Sequence, residues 1–243
     1  MRLLIVSDIH SNFAALQAVA ENAGEVDAVA FAGDAVDYGP RPAECIAWLR
    51  RHAKWAVRGN HDEALANDTD CRCSEAYREL FVATRAMNQE RVSPADRSYL
   101  AALPLTTFFN FGGKRFGMIH AAPDDPMYRY LPPGLSNSEL RVEMENFPTM
   151  ADVIILGHTH LPFVRRLNDS QVVNPGSVGQ PKHGDPRAAY AIWEDGVITL
   201  HRVAYPVEQT MQELQATGLN VKVLVGLSYI LCTGGDPETA VPP

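Results

Sequence analysis

MRLLIVSDIH, the stretch from residue 1 to residue 10, places an apolar run directly before two polar side chains. Leu3 to Val6 is continuously apolar, which is typical of a strand buried on both faces of an α/β sheet. Asp8 and His10 follow this run with one residue between them, and alternate residues of an extended segment point the same way. The stretch therefore predicts a buried first strand that ends in two candidate metal ligands.

Strand-like and helix-like segments alternate after this opening. The next segment has helical spacing and ends at Gly24, and Val26 to Phe31 forms a second apolar run. Pro42 starts a further helix at a position where its missing N–H costs nothing, and Trp55 to Val57 is the third predicted strand. A β-α-β-α-β order demands right-handed crossovers and a largely parallel sheet.

The rest of the chain changes character twice. Residues from about 63 to 103 show helical spacing without a strand pattern, which predicts a helical insertion beside the site. Two β-type runs around Gly112-Gly113 predict a hairpin, and four later runs between 163 and 203 have an antiparallel pattern, so we expect a second sheet. We expect residues 1–205 to form the main domain and residues 206–243 to form a C-terminal helical extension of it.

Five short polar islands, each at the end of a strand-like run, carry candidate metal ligands. Because parallel strands present their carboxyl ends at one edge of a sheet, these groups are expected to converge. Oxygen and imidazole ligands without cysteine suit divalent Mn, Fe, Zn, Ni or Co better than a structural zinc site. The seven candidate ligands are Asp8, His10, Asp34, Asn60, His120, His158 and His160. They predict a hydrolytic site with two metal ions, bridged by Asp34.

The charge of such a site favours a phosphate ester. Two divalent cations bring four positive charges, of which Asp8 and Asp34 remove two and a bridging hydroxide removes one more. The remaining positive charge suits a phosphate oxyanion, and the metals lower the pKa of their shared water towards about 7. The expected reaction is hydrolysis of a small phosphoester by attack of the bridging hydroxide.

His61 is the histidine of these motifs that is not among the candidate ligands, and it lies next to the candidate ligand Asn60. We expect it to act as a general acid that protonates the departing oxygen, with Asp37 holding its ring in orientation. The alternatives are that His61 only orients Asn60 and that Asp37 is a carboxylate in a surface turn. Asn60 and His61 are also the candidate substrate-binding residues.

Composition bounds the remaining functions. The formal net charge is −8, from 21 basic and 29 acidic residues, so no nucleic-acid polymer is expected as a partner. No segment approaches the roughly 20 apolar residues of a membrane span, so no membrane partner is expected. The cysteines show no framework of a secreted scaffold, which favours a cytoplasmic protein. The roles of Cys71 and Cys73 and the oligomeric state stay open.

The combined motif set resembles the calcineurin-like metallophosphoesterase superfamily in order and spacing. The motifs are DxH (8–10), GDxxD (33–37), GNHD (59–62), a lone histidine (120) and GHTH (157–160). The likeness covers about residues 3 to 200. The segments Asn174–Pro181 and Tyr38-Gly39-Pro40 are similar to those of the compact prokaryotic phosphodiesterase branch.

The resemblance implies an α/β fold, a four-layer αββα sandwich of two mixed β-sheets with the dimetal site at their shared edge. It also implies a division of the ligands. Asp8, His10, Asp34 and His160 would hold one metal ion, and Asp34, Asn60, His120 and His158 would hold the other. Manganese is the expected metal, with Fe, Zn, Ni, Co or Mg as alternatives.

Two departures from the family pattern bear on the substrate. Protein phosphatases of this superfamily carry arginine where this chain has Tyr38, and the loss of that bidentate phosphate clamp argues against protein monophosphates. Many compact-branch members carry glycine at the position of Asp37, so its pairing with His61 would be a local feature. The resemblance to the compact phosphodiesterase branch implies a phosphodiesterase. A phosphomonoesterase, a dinucleoside-polyphosphate hydrolase and a catalytically silent partner-binding scaffold are the alternatives.

Overall fold

The computed structural model describes residues 1–131, 134–147 and 151–235 of the chain. The strands are β1 (Arg2–Val6), β2 (Ala28–Phe31), β3 (Ala53–Ala56), β4 (Thr106–Phe111), β5 (Lys114–Ile119), β6 (Val153–Ile155), β7 (Phe163–Leu167), β8 (Ser170–Asn174), β9 (Ala188–Glu194) and β10 (Val197–Val203). The helices are α1 (Phe13–Ala23), α2 (Pro42–His52), α3 (Asn60–Asn67), α4 (Glu75–Gln89), α5 (Pro94–Ala102), α6 (Asn137–Glu145), α7 (Val207–Gln215) and α8 (Val221–Thr233). Across the described ranges, no helix is long and apolar enough to cross a membrane.

The first sheet has the strand order β10-β9-β1-β2-β3. Its strands β1, β2 and β3 are parallel, with Leu3 opposite Ala28, as the predicted β-α-β-α-β order requires. The crossovers are α1, whose first turn donates the N–H of Ala15 to the Asn12 side chain, and α2, which has Pro42 in its first turn. Both crossovers return the chain so that three strands present their carboxyl ends at one edge.

The second sheet has the order β4-β5-β6-β8-β7. β4 and β5 form the hairpin predicted around Gly112-Gly113, while β8 is parallel to β6 and antiparallel to β7. The prediction that all four late strands join this sheet is wrong for two of them, because β9 pairs with β1 and β10 pairs with β9 in the first sheet. A two-residue alternation indicates which face of a strand is buried, but not which edge the strand joins.

Alternate residues of β1 face two different cores. Leu4 shares a hydrophobic cluster with Leu16 of α1 on the outer side of the first sheet, whereas Leu3 shares one with Phe116 of β5 between the sheets. On the far side of the second sheet, Leu140 of α6 closes another cluster. The layers are therefore α, β, β and α, which confirms the predicted sandwich. Each such side chain contributes about 1.5–3 kcal/mol when fully buried.

Helices outside the sandwich form a further cluster beside the site edge. Residues 60–102 hold α3, α4 and α5, which overlap the helical insertion predicted at about residues 63–103. Leu80 of α4 shares a hydrophobic cluster with Leu227 and Ile230 of α8, so the C-terminal helices support α4. The division into a domain of residues 1–205 and an extension of residues 206–243 stays a prediction, and its end, 236–243, lies outside the described residues.

Candidate metal centre

The seven predicted ligands follow five strands drawn from both sheets. They are Asp8 and His10 after β1, Asp34 after β2, Asn60 at the start of α3, His120 after β5, and His158 and His160 after β6. Backbone hydrogen bonds join these loops: the N–H of Asp8 donates to the Gly33 carbonyl over 2.9 Å, and the N–H of Gly157 donates to the His120 carbonyl over 2.8 Å. The structure brings all seven to the edge shared by the sheets, and each is buried.

The backbone of these loops adopts an uncommon conformation. Five of the seven candidates have φ between 48° and 67°, in the left-handed region: Asp8, His10, Asp34, His158 and His160. Such backbone costs about 1–3 kcal/mol per residue and persists only where the surroundings over-determine it, typically at functional sites. Gly59 permits the close approach, because a Cβ there would lie 2.1 Å from Oδ1 of Asp34.

The first group of candidate ligands consists of Asp8, His10 and His160, whose ligand atoms lie within 4.8 Å of one another. The Nε2 atoms of His10 and His160 are 3.2 Å apart. Nε2 of His160 is also 3.3 Å from Oδ1 of Asp8. Asp34 lies next to this group, with its Oδ2 3.9 Å from Nε2 of His10.

The second group consists of Asp34, His120 and His158, whose ligand atoms again lie within 4.8 Å of one another. Nε2 of His120 is 3.2 Å from Oδ2 of Asp34 and 3.1 Å from Oδ1 of Asn60. The Asn60 amide donates through Nδ2 to the Cys71 carbonyl over 2.8 Å, so its oxygen faces His120. Oδ2 of Asp34 thus lies between the two groups, where a bridging carboxylate is needed.

Backbone carbonyls set the tautomers of the four histidines. A carbonyl only accepts, so the ring nitrogen that faces it carries the proton, and a neutral ring keeps its lone pair on the other nitrogen. The pairs are Nδ1 of His10 with Val36 O (2.9 Å), Nδ1 of His120 with Ala32 O (2.7 Å), Nε2 of His158 with Tyr128 O (3.1 Å) and Nδ1 of His160 with Gln180 O (2.5 Å). The nitrogens left for a metal are Nε2 of three rings and Nδ1 of His158.

The hydrogen bonds among these side chains leave lone pairs unsatisfied, and bound cations would satisfy them. With their tautomers set by carbonyls, His10 and His160 present two Nε2 lone pairs to each other. Oδ2 of Asp8 is buried and has no hydrogen-bond partner among the described residues. Leaving such an atom unsatisfied is costly, and a divalent cation would satisfy the carboxylate and both rings. Mixed oxygen and imidazole donors suit Mn, Fe, Zn, Ni or Co.

Burial and charge set the protonation of the candidate ligands. Burial lowers the pKa of His10 to about 3 and holds the pKa values of His158 and His160 well below the usual range. These three rings are therefore neutral at pH 7, the form that binds metal. Burial opposes ionisation of Asp34, but His120, His61 and His10 together outweigh it and hold the pKa of Asp34 well below its usual range. Against the same opposing burial, Asp34 raises the pKa of His120 to about 9.

His61 and Asp37, the predicted general acid and its orienting carboxylate, lie side by side. Nδ1 of His61 is 2.8 Å from Oδ2 of Asp37. Burial opposes protonation of His61, but Asp34 and Asp37 outweigh it and raise its pKa. The Asp37 side chain is fully buried, which excludes the alternative of an exposed turn carboxylate. The pairing uses Nδ1 of His61 and leaves Nε2 as the ring nitrogen that does not contact Asp37.

Sequence reasoning missed three polar side chains of α4 that contact Asp37 and the neighbouring Tyr38. Arg85 donates to both carboxylate oxygens of Asp37, each over 3.1 Å. Oγ1 of Thr84 accepts the N–H of Tyr38 over 3.1 Å, and Oδ1 of Asn88 accepts the N–H of Asp37 over 3.0 Å. All three side chains lie on the buried face of an amphipathic helix, where polar residues are unusual. Polar residues at positions of the apolar face of the helical pattern were the signal in the sequence.

Known proteins of similar sequence or structure cover most of the chain. The uncharacterized protein MJ0912 of Methanocaldococcus jannaschii is 29% identical over 233 residues, which cover 87% of this chain and 91% of that protein. Phosphodiesterase YfcE of Escherichia coli K12 is 27% identical over 214 residues, or 82% of this chain and 91% of that enzyme. The crystal structure of a metallophosphoesterase from Sphaerobacter thermophilus matches with a TM-score of 0.79 and 29% identity, over 96% of this chain and 99% of that one.

A family model covers the sandwich and its site loops. Residues 1–195 match the model of the calcineurin-like phosphoesterase superfamily domain. This range contains all seven candidate ligands as well as His61 and Asp37. The chain therefore belongs to the calcineurin-like phosphoesterase superfamily, whose members are metal-dependent hydrolases of phosphoester bonds.

Proposed function

We propose that this protein is a phosphodiesterase that uses two divalent metal ions, manganese as the first choice, to hydrolyse a small phosphoester. The observation that supports it most is the pair of buried ligand groups on either side of Asp34, next to the His61–Asp37 pair. Asp8, His10, Asp34 and His160 would hold one ion, and Asp34, Asn60, His120 and His158 would hold the other. Iron, zinc, nickel, cobalt and magnesium are the alternative metals.

The side chains have distinct roles in this proposal. When bound, the two ions neutralise charge on the phosphate and lower the pKa of water, so that a nucleophile forms near neutral pH. The water oxygen forms a new bond to phosphorus while the bond to the leaving oxygen breaks. His61 gives the proton on Nε2 to that leaving oxygen, and Asp37 accepts the hydrogen bond from Nδ1. Asn60 and His61 are the proposed phosphate contacts.

Several observations favour a small diester over other substrates. Tyr38 stands where the protein phosphatases carry a phosphate-binding arginine, and the relative YfcE is named a phosphodiesterase. The net charge of −8 opposes binding of a nucleic-acid polymer. All four cysteines are free, which agrees with the cytoplasmic location that we propose. The presence of His61 argues against a silent scaffold.

A metal-activated substrate panel tests the proposal. The chain, stripped with a chelator and reloaded with Mn²⁺, is assayed on bis(p-nitrophenyl) phosphate, p-nitrophenyl phosphate and diadenosine tetraphosphate. We expect turnover that depends on the metal and is fastest on the diester. His160→Ala should abolish turnover, whereas the control His52→Ala, at an exposed histidine of α2, should not. Preference for the monoester or the dinucleotide would support those alternatives, and inactivity with all six metals would refute an enzymatic role.

His61→Asn tests the general-acid role separately. General acid catalysis contributes typically about 10²–10⁴-fold, so kcat on an ester with a basic leaving group, such as methyl phenyl phosphate, should fall within this range while elemental analysis still finds two metal ions per chain. The amide cannot donate an acidic proton, but it preserves the size of a polar side chain near Asp37. Loss of both metals in this variant would instead show that His61 serves to hold Asn60 and its neighbours in place.

A further inference from the structure

Arg85 of α4 forms a two-point ion pair with Asp37. Its Nε donates to Oδ1 and its Nη2 donates to Oδ2, each over 3.1 Å. The same Oδ2 lies 2.8 Å from Nδ1 of His61. The side chains of Arg85, Asp37 and His61 are 8%, 0% and 6% exposed, so all three interact away from bulk water. A planar guanidinium that meets both oxygens fixes the plane of the carboxylate, which a single-point contact cannot do.

The backbone that carries Asp37 is held by the same helix. Asp37 and Tyr38 have φ values of 69° and 60°, in the left-handed region, which few non-glycine residues adopt. Asn88 accepts the N–H of Asp37 over 3.0 Å and donates to the Gly39 carbonyl over 3.0 Å. Thr84 accepts the N–H of Tyr38 over 3.1 Å. Successive turns of α4 therefore hold both the main chain and the side chain at this point.

Arg85 is itself held in place on its helix. Its guanidinium lies 4.7 Å from the centroid of the Phe81 ring, one turn earlier, and its Nη1 donates to the Thr69 carbonyl over 3.4 Å. Leu80 of the same helix packs against Gly226 of α8, where a Cβ would come within 2.8 Å of the leucine side chain. The position of Arg85 thus depends on the helices outside the sandwich.

We propose that Arg85 is a positioning residue for the general acid. It orients the Asp37 carboxylate so that Oδ2 accepts the Nδ1–H of His61 and directs Nε2 towards the leaving oxygen of the phosphoester. The helical insertion is thereby part of the unit that protonates the leaving group, although it supplies none of the candidate metal ligands. This inference rests on the proposed function of the same site.

A leaving-group comparison in Arg85 variants tests it. The leaving-group proton matters little for p-nitrophenoxide, which departs easily, and much for the more basic phenoxide. Methyl p-nitrophenyl phosphate and methyl phenyl phosphate therefore separate proton donation from all other steps. Arg85→Lys keeps the charge but offers no planar two-point contact, and Arg85→Met keeps the length without the charge. The matched control is Arg78→Met, which removes an arginine of the same helix that pairs with Asp70 at the surface.

We expect both Arg85 variants to lower kcat on the phenyl ester about 10-fold or more, with less than about a 3-fold loss on the nitrophenyl ester and an unchanged KM. Metal content should stay at the wild-type value, and Arg78→Met should behave as wild type. Equal losses on both esters, or unaltered rates in Arg85→Lys, would overturn the inference. Because Arg85→Lys keeps a cation beside Asp37, it serves as the test if Arg85→Met fails to fold. Absence of turnover by the wild-type protein would refute the proposed function itself, so this outcome is distinguishable from a failure of the inference about Arg85.

Discussion

At the scale of single residues, the protonation of each candidate ligand histidine depends on the groups that its two ring nitrogens contact. His10, His120 and His160 each bond a backbone carbonyl through Nδ1, which leaves Nε2 directed into the site. Nε2 of His120 lies 3.2 Å from the carboxylate of Asp34, which holds a proton there and raises the pKa of this ring to about 9. A metal must displace this proton.

Metal uptake should therefore release protons. At pH 7 the His120 ring is protonated, since its pKa is about 9, and a bound metal requires the neutral form. We expect metal affinity to rise with pH up to about 9, and titration calorimetry in buffers of different ionisation enthalpy to detect the released proton. His120→Asn keeps an oxygen ligand but should release about one proton fewer. Identical heats in all buffers would contradict this assignment.

At the scale of elements, the first turn of α3 connects the loops of the site through hydrogen bonds. Asp62 accepts three backbone N–H groups, those of Gly59, Asp34 and Ala35, at 2.8–3.1 Å. It thus caps its own helix and also fixes the loop after β2 that carries the predicted bridging ligand. The side chain is fully buried, so water does not replace it if it is removed.

Asp62→Ala should lower the free energy of unfolding by about 3 kcal/mol, because buried donors left unsatisfied cost about 1–3 kcal/mol. Urea unfolding of the metal-free protein measures the loss without a contribution from metal binding. Glu79→Ala is the control: Glu79 pairs with Lys222 at the surface, and such pairs contribute about 0–1 kcal/mol. Equal effects of the two substitutions would show that the loop after β2 is held by other contacts.

At the scale of the whole molecule, the site is a junction between the two sheets. Asp8 and His10 come from the first sheet and meet His160 from the second, while Asp34 from the first sheet meets His120 and His158 from the second. Neither sheet supplies a complete group of ligands. Metal ions bound there would tie the sheets together and would bind only the folded chain.

Metal removal should consequently destabilise the fold. Binding to the native state alone adds about 2.7 kcal/mol per site when free metal is 100 times Kd. We expect Tm to rise with Mn²⁺ concentration and to fall on addition of a chelator, as measured by calorimetry. Asp34→Ala should remove most of this dependence, because Asp34 lies between both groups. If the Tm of the wild-type chain does not change with metal concentration, this result would argue against a metal site between the sheets.

Much of this arrangement was predictable from local patterns. The apolar run Leu3–Val6 followed by Asp8 and His10 already indicates a buried parallel strand with ligands at its end, and similar islands recur along the chain. Because parallel strands share one edge for their carboxyl ends, local motifs at strand ends are enough to predict which side chains meet. The sandwich followed from the resemblance that the same motifs carry, and the structure confirms it.

Other features needed the folded chain because they join residues that no local pattern links. Alternation marked β9 and β10 as strands but did not reveal that they extend the first sheet beside β1. Arg85 lies on the apolar face of its helix, but no local pattern pairs it with Asp37, 48 positions away. Likewise, no local pattern indicates that the Gln180 carbonyl sets the tautomer of His160. Local chemistry and spacing thus identified the candidate ligands, whereas packing between distant segments set their partners, their tautomers and the surroundings of His61.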